Sequence, residues 1–438
     1  MAKSVGIVGI GVGDEGKAKV AVYLVSSALK NLLVLPTEIG KPVGVERYQG
    51  GGNAGHTVEI NGIQHKLNNI PCGILYEHTY NLMGQKTFVN PREVVTEVGR
   101  LRKRGIKISE SNFGIAANAH VTLDYHILED QIIFKSEKRT STGSGIKQTA
   151  IDKQGRVGMR FIEFLDVQLM KEILQERFPA GLPEQLGNLD SFVAGYDPER
   201  DFLKSFAAQE HLVRKIHGSQ FWIGEGAQGA LLDVDAGLYP GITSSNPLDV
   251  PNRPETILGV LKLYTSSVGQ GRPFVAQIES TLEKYLRDEW REYGTTTGKP
   301  RDLGWADTVA LRYAVGAGNV DALAGTCGDR LEILSKVGQK VKLVVAYEID
   351  GKRYDEWDLS FHRRDTLYKA KPVFEEFEPW EKFVDSSGEK LTSNAQRYVD
   401  RIQELVGKEF MMLGTGPGQD DMVVYKDLFA SKYTKLKK

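Results

Sequence analysis

The 438-residue chain carries 56 Lys and Arg against 57 Asp and Glu, and this formal charge of −1 excludes a broad electrostatic footprint for nucleic acid or an anionic membrane, leaving room for a local anion site. Its two cysteines, Cys72 and Cys327, are too few for a disulfide framework and lack CxxC spacing, and its eight histidines hold neither HExxH nor a pair four apart, so buried thiols and no histidine-built metal site are expected. No apolar run reaches the roughly 18 residues of a membrane span, and the glycine-studded strand after Met1-Ala2-Lys3-Ser4 is unlike a signal peptide, so the expected location is cytoplasmic.

Residues 5–10 form a short apolar run that enters glycines, and residues 17–29 carry helix formers at helical spacing, a strand-loop-helix start. Helical patterns follow at 92–104, 160–177, 255–264 and 395–406, and strand-like apolar runs at 220–223 and 341–347. Strands separated by helices predict an α/β fold with a central, mostly parallel sheet flanked by helices, opening on a P-loop-like nucleotide-binding segment. No linker, charge block or repeat divides the chain, so a single large domain over 1–438 is expected. Binding groups are expected on the polar, glycine-rich stretches 9–19, 49–57, 139–156, 225–246 and 293–305, because loops on a rigid sheet carry them.

Gly11-Val12-Gly13-Asp14-Glu15-Gly16-Lys17 has the GxxxxGK pattern of a phosphate loop, whose backbone N–H groups cradle phosphates at a helix start. Ala18 stands where such a loop places a magnesium-binding hydroxyl, which leaves Asp14 as the hard oxygen donor. Gly50-Gly51-Gly52-Asn53-Ala54-Gly55-His56-Thr57 suits close backbone approach to a ligand, with His56 as a donor to a phosphoryl oxygen; a surface loop with a solvated histidine is the plainer alternative. Glu225-Gly226-Ala227-Gln228-Gly229 and Thr243-Ser244-Ser245-Asn246 follow an apolar strand, at the carboxyl end where open α/β sheets bind ligands. Gln228 offers the donor and acceptor that a lactam edge needs, while Asp233 and Asp235 read better as turn residues than as catalysts. Gly294-Thr295-Thr296-Thr297-Gly298-Lys299-Pro300-Arg301 combines hydroxyls with two cations, and Arg301 could clamp a carboxylate in a bidentate fork; seen alone, the segment also reads as a solvated basic loop.

Taken in order over nearly the whole chain, these segments resemble the adenylosuccinate synthetase family. The family's GDEGKGK, NAGHT, EGAQG, TSSN and TGP correspond to Gly13 through Lys19, Asn53 through Thr57, Glu225 through Gly229, Thr243 through Asn246, and Thr415-Gly416-Pro417. The resemblance implies a GTP-dependent ligase of purine biosynthesis acting as a homodimer, in which the 6-oxygen of IMP takes the γ-phosphate and the amino group of L-aspartate then displaces phosphate. It implies Asp14 as the base that removes the N1 proton and, with the Gly55 carbonyl, as a ligand of Mg2+. Gln228 would hold the 6-oxyanion, and His56 and Lys17 the transferring phosphoryl group. Asn53, Thr142, Thr243 and Val268 would contact the monophosphate nucleotide, with Arg156 reaching it from the neighbouring subunit. Thr296, Thr297, Lys299 and Arg301 fall on the aspartate loop. Gly13, Gly16 and Lys17 would serve the GTP phosphates, and Arg330, Glu332, Gly414, Gly416 and Pro417 the guanine.

Several positions depart from that pattern. The guanine-reading Lys-Leu-Asp is here Arg330-Leu331-Glu332, which leaves ATP open as the donor. Lys299 and Asp302 stand where the family has arginines, the segment after Thr142 lacks an arginine and a Gly-Pro, Pro247 follows Asn246, and residues 30–46 look like an insertion, either an ordered lid or a passive loop. These departures raise two alternatives: a relative of the viral type that uses dGMP in place of IMP, and a GTP-binding regulator without ligase activity. The intact Asp14 weighs against the first, and the retained Asp14, His56, Gln228 and Arg301 against the second.

Overall fold

The computed structural model describes residues 3–34, 43–137, 143–208, 213, 216–219, 221–268, 272–294 and 298–429. By contact density the chain divides into two compact units. The first comprises Met1–Ser4, Ala28–His56 and Lys66–Glu225; the second comprises Val5–Ser27, Thr57–His65 and Gly226–Lys438.

The second unit is built on parallel strands in the order Phe410–Gly414, Ala322–Thr326, Thr256–Lys262 and Lys3–Gly9, with Met422–Val424 antiparallel at the edge. Thr256–Lys262 corrects the helix expected over 255–264. A short apolar run such as 257–261 is compatible with either state by periodicity, and here Val8 pairs with Gly259 on one side while Gly259 pairs with Leu323 on the other. A strand flanked on both edges and buried on both faces reads as a continuous apolar run with no alternation. Val341–Ile349 pairs antiparallel with Lys371–Phe377, and both it and the helices Thr308–Ala317 and Ser393–Val406 send side chains such as Leu343, Val309 and Tyr398 into one core with Val8, Leu261 and Leu323.

The first unit orders its parallel strands Phe221–Glu225, Val43–Gly51, Thr79–Val89, Phe113–Ala116 and Ala207–Ala208. Helix Pro91–Lys103 follows the third strand directly. Asn90 Oδ1 accepts the Arg92 and Glu93 amides, Pro91 supplies a preset φ, and Val94, Val98 and Leu101 form the buried stripe. The helix expected over 160–177 is two helices, Phe161–Phe164 and Val167–Arg177, because the Asp166 carboxylate caps the Leu169 amide at 3.0 Å and starts a new helix. Residues 30–46 are neither lid nor passive loop where they are described: the helix Lys17–Val34 runs through residue 34, and the wholly buried strand Val43–Gly51 begins at 43. Residues 35–42 lie outside the described set.

Each unit thus carries the expected α/β organisation around a parallel sheet. Both cysteines are free thiols, and Cys72 is buried. Among the described residues no helix is long and apolar enough to cross a membrane.

Candidate active site

In the second unit the strand Lys3–Gly9 ends in the 9–16 loop, whose Gly13 and Gly16 take φ of 110° and 81°, a region open to glycine at little cost. The helix that follows starts at Lys17, so its unsatisfied N–H groups and positive dipole end meet the loop. The loop is not empty of charge. The buried Glu15 carboxylate folds back into it, accepts the Gly13 amide at 2.6 Å and pairs with Lys17 Nζ at 2.6 Å, while Lys17 also donates to the Gly13 carbonyl at 2.9 Å. A Cβ at Gly11 or Gly229 would lie 2.9 or 2.7 Å from Glu15 Oε1, so these glycines make the space that the carboxylate fills. Ala18 is buried in apolar surroundings. Lys17 is therefore ion-paired inside the loop.

Lys19, two residues on, donates to the Gly416 and Gly418 carbonyls at 2.5 Å each, which joins this helix to the loop bearing Gly414, Gly416 and Pro417. Burial lowers the Lys19 pKa, and Asp421 and Asp329 oppose that. On the other flank, the Gly226 amide donates to Ile7 and the Leu231 amide to Gly11, so the 226–231 segment runs along the phosphate loop. Gln228 sits there in a left-handed conformation, φ 51°, with Oε1 accepting from Ser245 Oγ at 3.4 Å. Asp233 is a turn residue, as expected: its carboxylate accepts the Asp235, Ala236 and Leu248 amides. Thr243 is half-buried and its amide donates to Leu232.

Asp14 and Arg301, 287 positions apart in sequence, face each other. Arg301 Nε lies 3.0 Å from Asp14 Oδ2 without a hydrogen bond, and Nη2 donates to Oδ1 at 3.1 Å, an ion pair carrying one hydrogen bond. The third nitrogen of the same guanidinium donates to Glu292 Oε2 at 2.5 Å. Glu292 is fully buried, and its Oε1 also takes Lys262 Nζ at 2.7 Å, Arg330 Nη1 at 2.7 Å and the Tyr264 hydroxyl. Burial alone would raise the Glu292 carboxyl, but Lys262, Arg301 and Arg330 overcome that and hold it well below the usual carboxylate range. Arg330 is thereby placed beside Arg301 through a shared carboxylate, while the Glu332 carboxylate accepts the Phe383 amide at 2.8 Å. The Arg301 amide donates to Glu292 and the Lys299 carbonyl accepts from Gly294, which pairs the two flanking segments. Lys299 itself is exposed. Thr296 and Thr297 lie outside the described residues.

Val268 ends the short strand region Thr265–Ser267, and its carbonyl accepts from Arg272 Nη2 at 3.0 Å. Arg272 also reaches Ser267 Oγ and the Gly241 carbonyl. Together with Phe274, Gln277, Asp302 and Tyr368, it lines a cavity of about 460 Å³.

In the first unit Arg47, on the strand Val43–Gly51, pairs in register with Glu225 at the end of Phe221–Glu225. Its Nη1 donates to Glu225 Oε1 at 3.0 Å and lies 2.8 Å from His56 Nδ1, and its Nη2 donates to the Ala54 carbonyl at 2.9 Å. His56 Nδ1 also lies 3.3 Å from Glu225 Oε1, so the imidazole sits against both members of this ion pair. Glu225 Oε2 accepts the Cys72 amide at 2.8 Å. Burial would raise Glu225, but His56 and Arg47 bring it below its ordinary value. The loop that includes Gly55 is held by these contacts, and Asn53 Oδ1 is out of solvent with no hydrogen-bond partner among the described residues. Arg156 ends the helix Ile146–Gly155 with φ 63° and is exposed. Thr142 lies outside the described residues.

Sequence reasoning overlooked Glu15, Lys19, Arg47, Glu225, Lys262, Arg272 and Glu292 as working residues. A lone Arg47 inside a run of buried strand residues was a readable signal, because a charge there demands a partner. Glu292 gave none: a glutamate before a glycine-threonine loop is unremarkable until its partners are seen in space.

The family model for adenylosuccinate synthetase matches residues 6–423. The adenylosuccinate synthetase of Caldanaerobacter subterraneus subsp. tengcongensis is 34% identical, covering 96% of this chain and 99% of the relative; that of Lacticaseibacillus casei is also 34% identical, with 97% and 98% covered. Among solved structures, a fully ligated adenylosuccinate synthetase from Plasmodium falciparum is similar with a TM-score of 0.78 at 25% identity, covering 96% of this chain and 99% of that one. The cyanophage S-2L succinoaminodeoxyadenylate synthetase, bound to dGMP and dATP, has a TM-score of 0.59 at 16% identity over 97% and 95% of the two chains, a likeness of fold alone.

Proposed function

The chain belongs to the adenylosuccinate synthetase family, whose members are ligases forming a C–N bond, and from that premise we propose that it joins L-aspartate to C6 of IMP with GTP as phosphoryl donor, residues 1–438 acting as one functional domain in the cytoplasm. The observation that carries the reading is the Asp14–Arg301 pair. A carboxylate from the phosphate loop occupies the fork of the arginine assigned to aspartate, standing where a substrate carboxylate would bind and withdrawing once one does.

In the first step Asp14 takes the N1 proton of the purine, the 6-oxygen attacks the γ-phosphorus and GDP leaves. Gln228 steadies the charge that grows on the 6-oxygen, and the protonated His56 Nε2 donates to the transferring phosphoryl group. Lys17, drawn from Glu15 by the phosphates, neutralises charge there. In the second step the amino group of aspartate attacks C6 and the 6-phosphate departs with its bonding electrons. Arg301, with Thr296, Thr297 and Lys299, orients the aspartate; Asn53, Thr142, Thr243 and Val268 hold the nucleotide acceptor; Arg330, Glu332, Gly414, Gly416 and Pro417 serve the guanine, beside Gly13 and Gly16 at the phosphates.

The donor set fits Mg2+ rather than a protein-caged metal. Asp14 is a half-buried hard oxygen, and no cluster of three or more acidic, His or Cys residues exists among the described residues. Asp14 and the Gly55 carbonyl would hold the ion, which supplies neutralisation of phosphate charge when bound. A homodimer belongs to the same reading: Arg156 is exposed, as are Ile132, Ile151, Val157, Ile162 and Val167 on neighbouring elements of the first unit.

The relatives at 34% identity favour IMP over dGMP, and ligase membership sets aside a pure GTP switch. Turnover followed by the absorbance change of the succinylated purine, with IMP, GMP or dGMP against GTP or ATP, tests the reading. Product from IMP and GTP is expected, and its absence with all acceptors would refute ligase activity.

A further inference from the structure

Glu292 is placed where three elements of the second unit meet. It follows the helix Ser280–Trp290 and its left-handed cap Arg291, with its backbone fixed by the Arg301 amide. Its oxygens divide their donors by element. Oε2 takes Arg301, and Oε1 takes Lys262 and Tyr264 from the strand Thr256–Lys262 and its continuation, and Arg330 from the turn Asp329–Glu332. The Trp290 indole donates to the Arg330 carbonyl at 2.8 Å and stacks near Tyr264, with ring centroids 4.3 Å apart, so the Arg330 backbone cannot drift.

Three cations here face two carboxylates, Glu292 and Asp14. Of the two, only Asp14 has work elsewhere in the reaction, so Glu292 is the one that keeps Arg301 when Asp14 lets go.

We propose, on the functional reading above, that Glu292 is a positioning residue that couples the amino-acid subsite to the nucleotide subsite by sharing one carboxylate between Arg301 and Arg330. The physical reason is competition for a single charge. When a nucleotide base draws Arg330 outward, Oε1 loses a donor, and the less compensated carboxylate holds Arg301 more firmly and away from Asp14. The open side of the Arg301 fork then faces the substrate carboxylate. Nucleotide binding thus strengthens aspartate binding, and reciprocally.

The test is the KM for aspartate of the intact enzyme at sub-saturating and saturating GTP. In the unmodified protein it should fall by about fivefold or more as GTP saturates, a typical coupling between sites. Glu292→Gln, whose amide can accept through one oxygen only, should raise the aspartate KM by at least about tenfold, with a smaller change in kcat, and erase the GTP dependence. Glu292→Asp keeps the charge but is a methylene too short to span both arginines. If Glu292→Gln does not fold, Glu292→Asp, which keeps the buried charge, should fold and still lose the GTP dependence. A GTP-independent aspartate KM in the unmodified protein, or full coupling in either variant, overturns the proposal. An unmodified protein that makes no product refutes the functional reading instead.

Discussion

The Arg47 cluster of the first unit and the Glu292 cluster of the second solve the same problem in opposite ways. Both bury carboxylates that ought to resist ionisation, and in both the neighbouring cations keep them ionised. Around Glu225 the match is close to one for one: Arg47 supplies the charge, the Cys72 amide satisfies the remaining oxygen, and His56 lies against both partners. Around Glu292 the cations outnumber the carboxylates, and Asp14 fills the gap. A balanced cluster is a finished piece of scaffold, whereas an unbalanced one fits the proposed role, in which Asp14 stands in for a substrate carboxylate. Buried pairs gain little net stability over apolar packing, so their retention is best read through what they orient.

The sharpest way to break this contrast is Asp14→Asn. It removes the proton acceptor and the charge that faces Arg301, so kcat should fall by about 10²–10⁴, the range of general-base catalysis, with little change in thermal unfolding. A near-normal rate in a steady-state assay would separate Asp14 from the chemistry. Arg47→Met should act in the other direction, mainly on stability. It leaves Glu225 buried and unpaired, at a cost of about 3–5 kcal/mol in urea unfolding, and a loss below about 1 kcal/mol would mean the cluster is not structural.

The smallest effect is in pH. The Glu225 carboxyl is lowered in the folded chain relative to its ordinary 4.5, so its stabilisation is fully present above that value and is lost as pH falls through the lowered folded value. The stability difference between the unmodified protein and Glu225→Gln should therefore stay flat from about pH 8 to 5.5 and narrow only in more acid solution. Narrowing already near neutral pH would show that Glu225 is not held ionised by Arg47 and His56.

Much of this was legible in the sequence where the determinant is local. Residues 5–10 and 17–29 announce a strand, a loop and a helix because apolar run, glycines and helix formers lie side by side, and the lysine of the loop is fixed by its spacing. Asp233 was legible as a turn residue for the same reason: its partners are two, three and fifteen positions away. Residues 255–264 were misread because their state depends on strands at both edges, which no window on the chain contains. The break in 160–177 was visible in Asp166, a capping residue within an otherwise continuous pattern.

The sequence by itself determined the α/β class, the strand-loop-helix start and, through the order of its motifs, the family, because backbone conformation and periodicity are properties of neighbours. Which charges meet was decided by the tertiary structure. Glu292 gathers Lys262 from 30 positions before it and Arg330 from 38 after, and Arg301 reaches Asp14 across 287. Ion pairs of that kind depend on distance and burial in three dimensions, and a charge becomes strong only where the fold has removed the water around it.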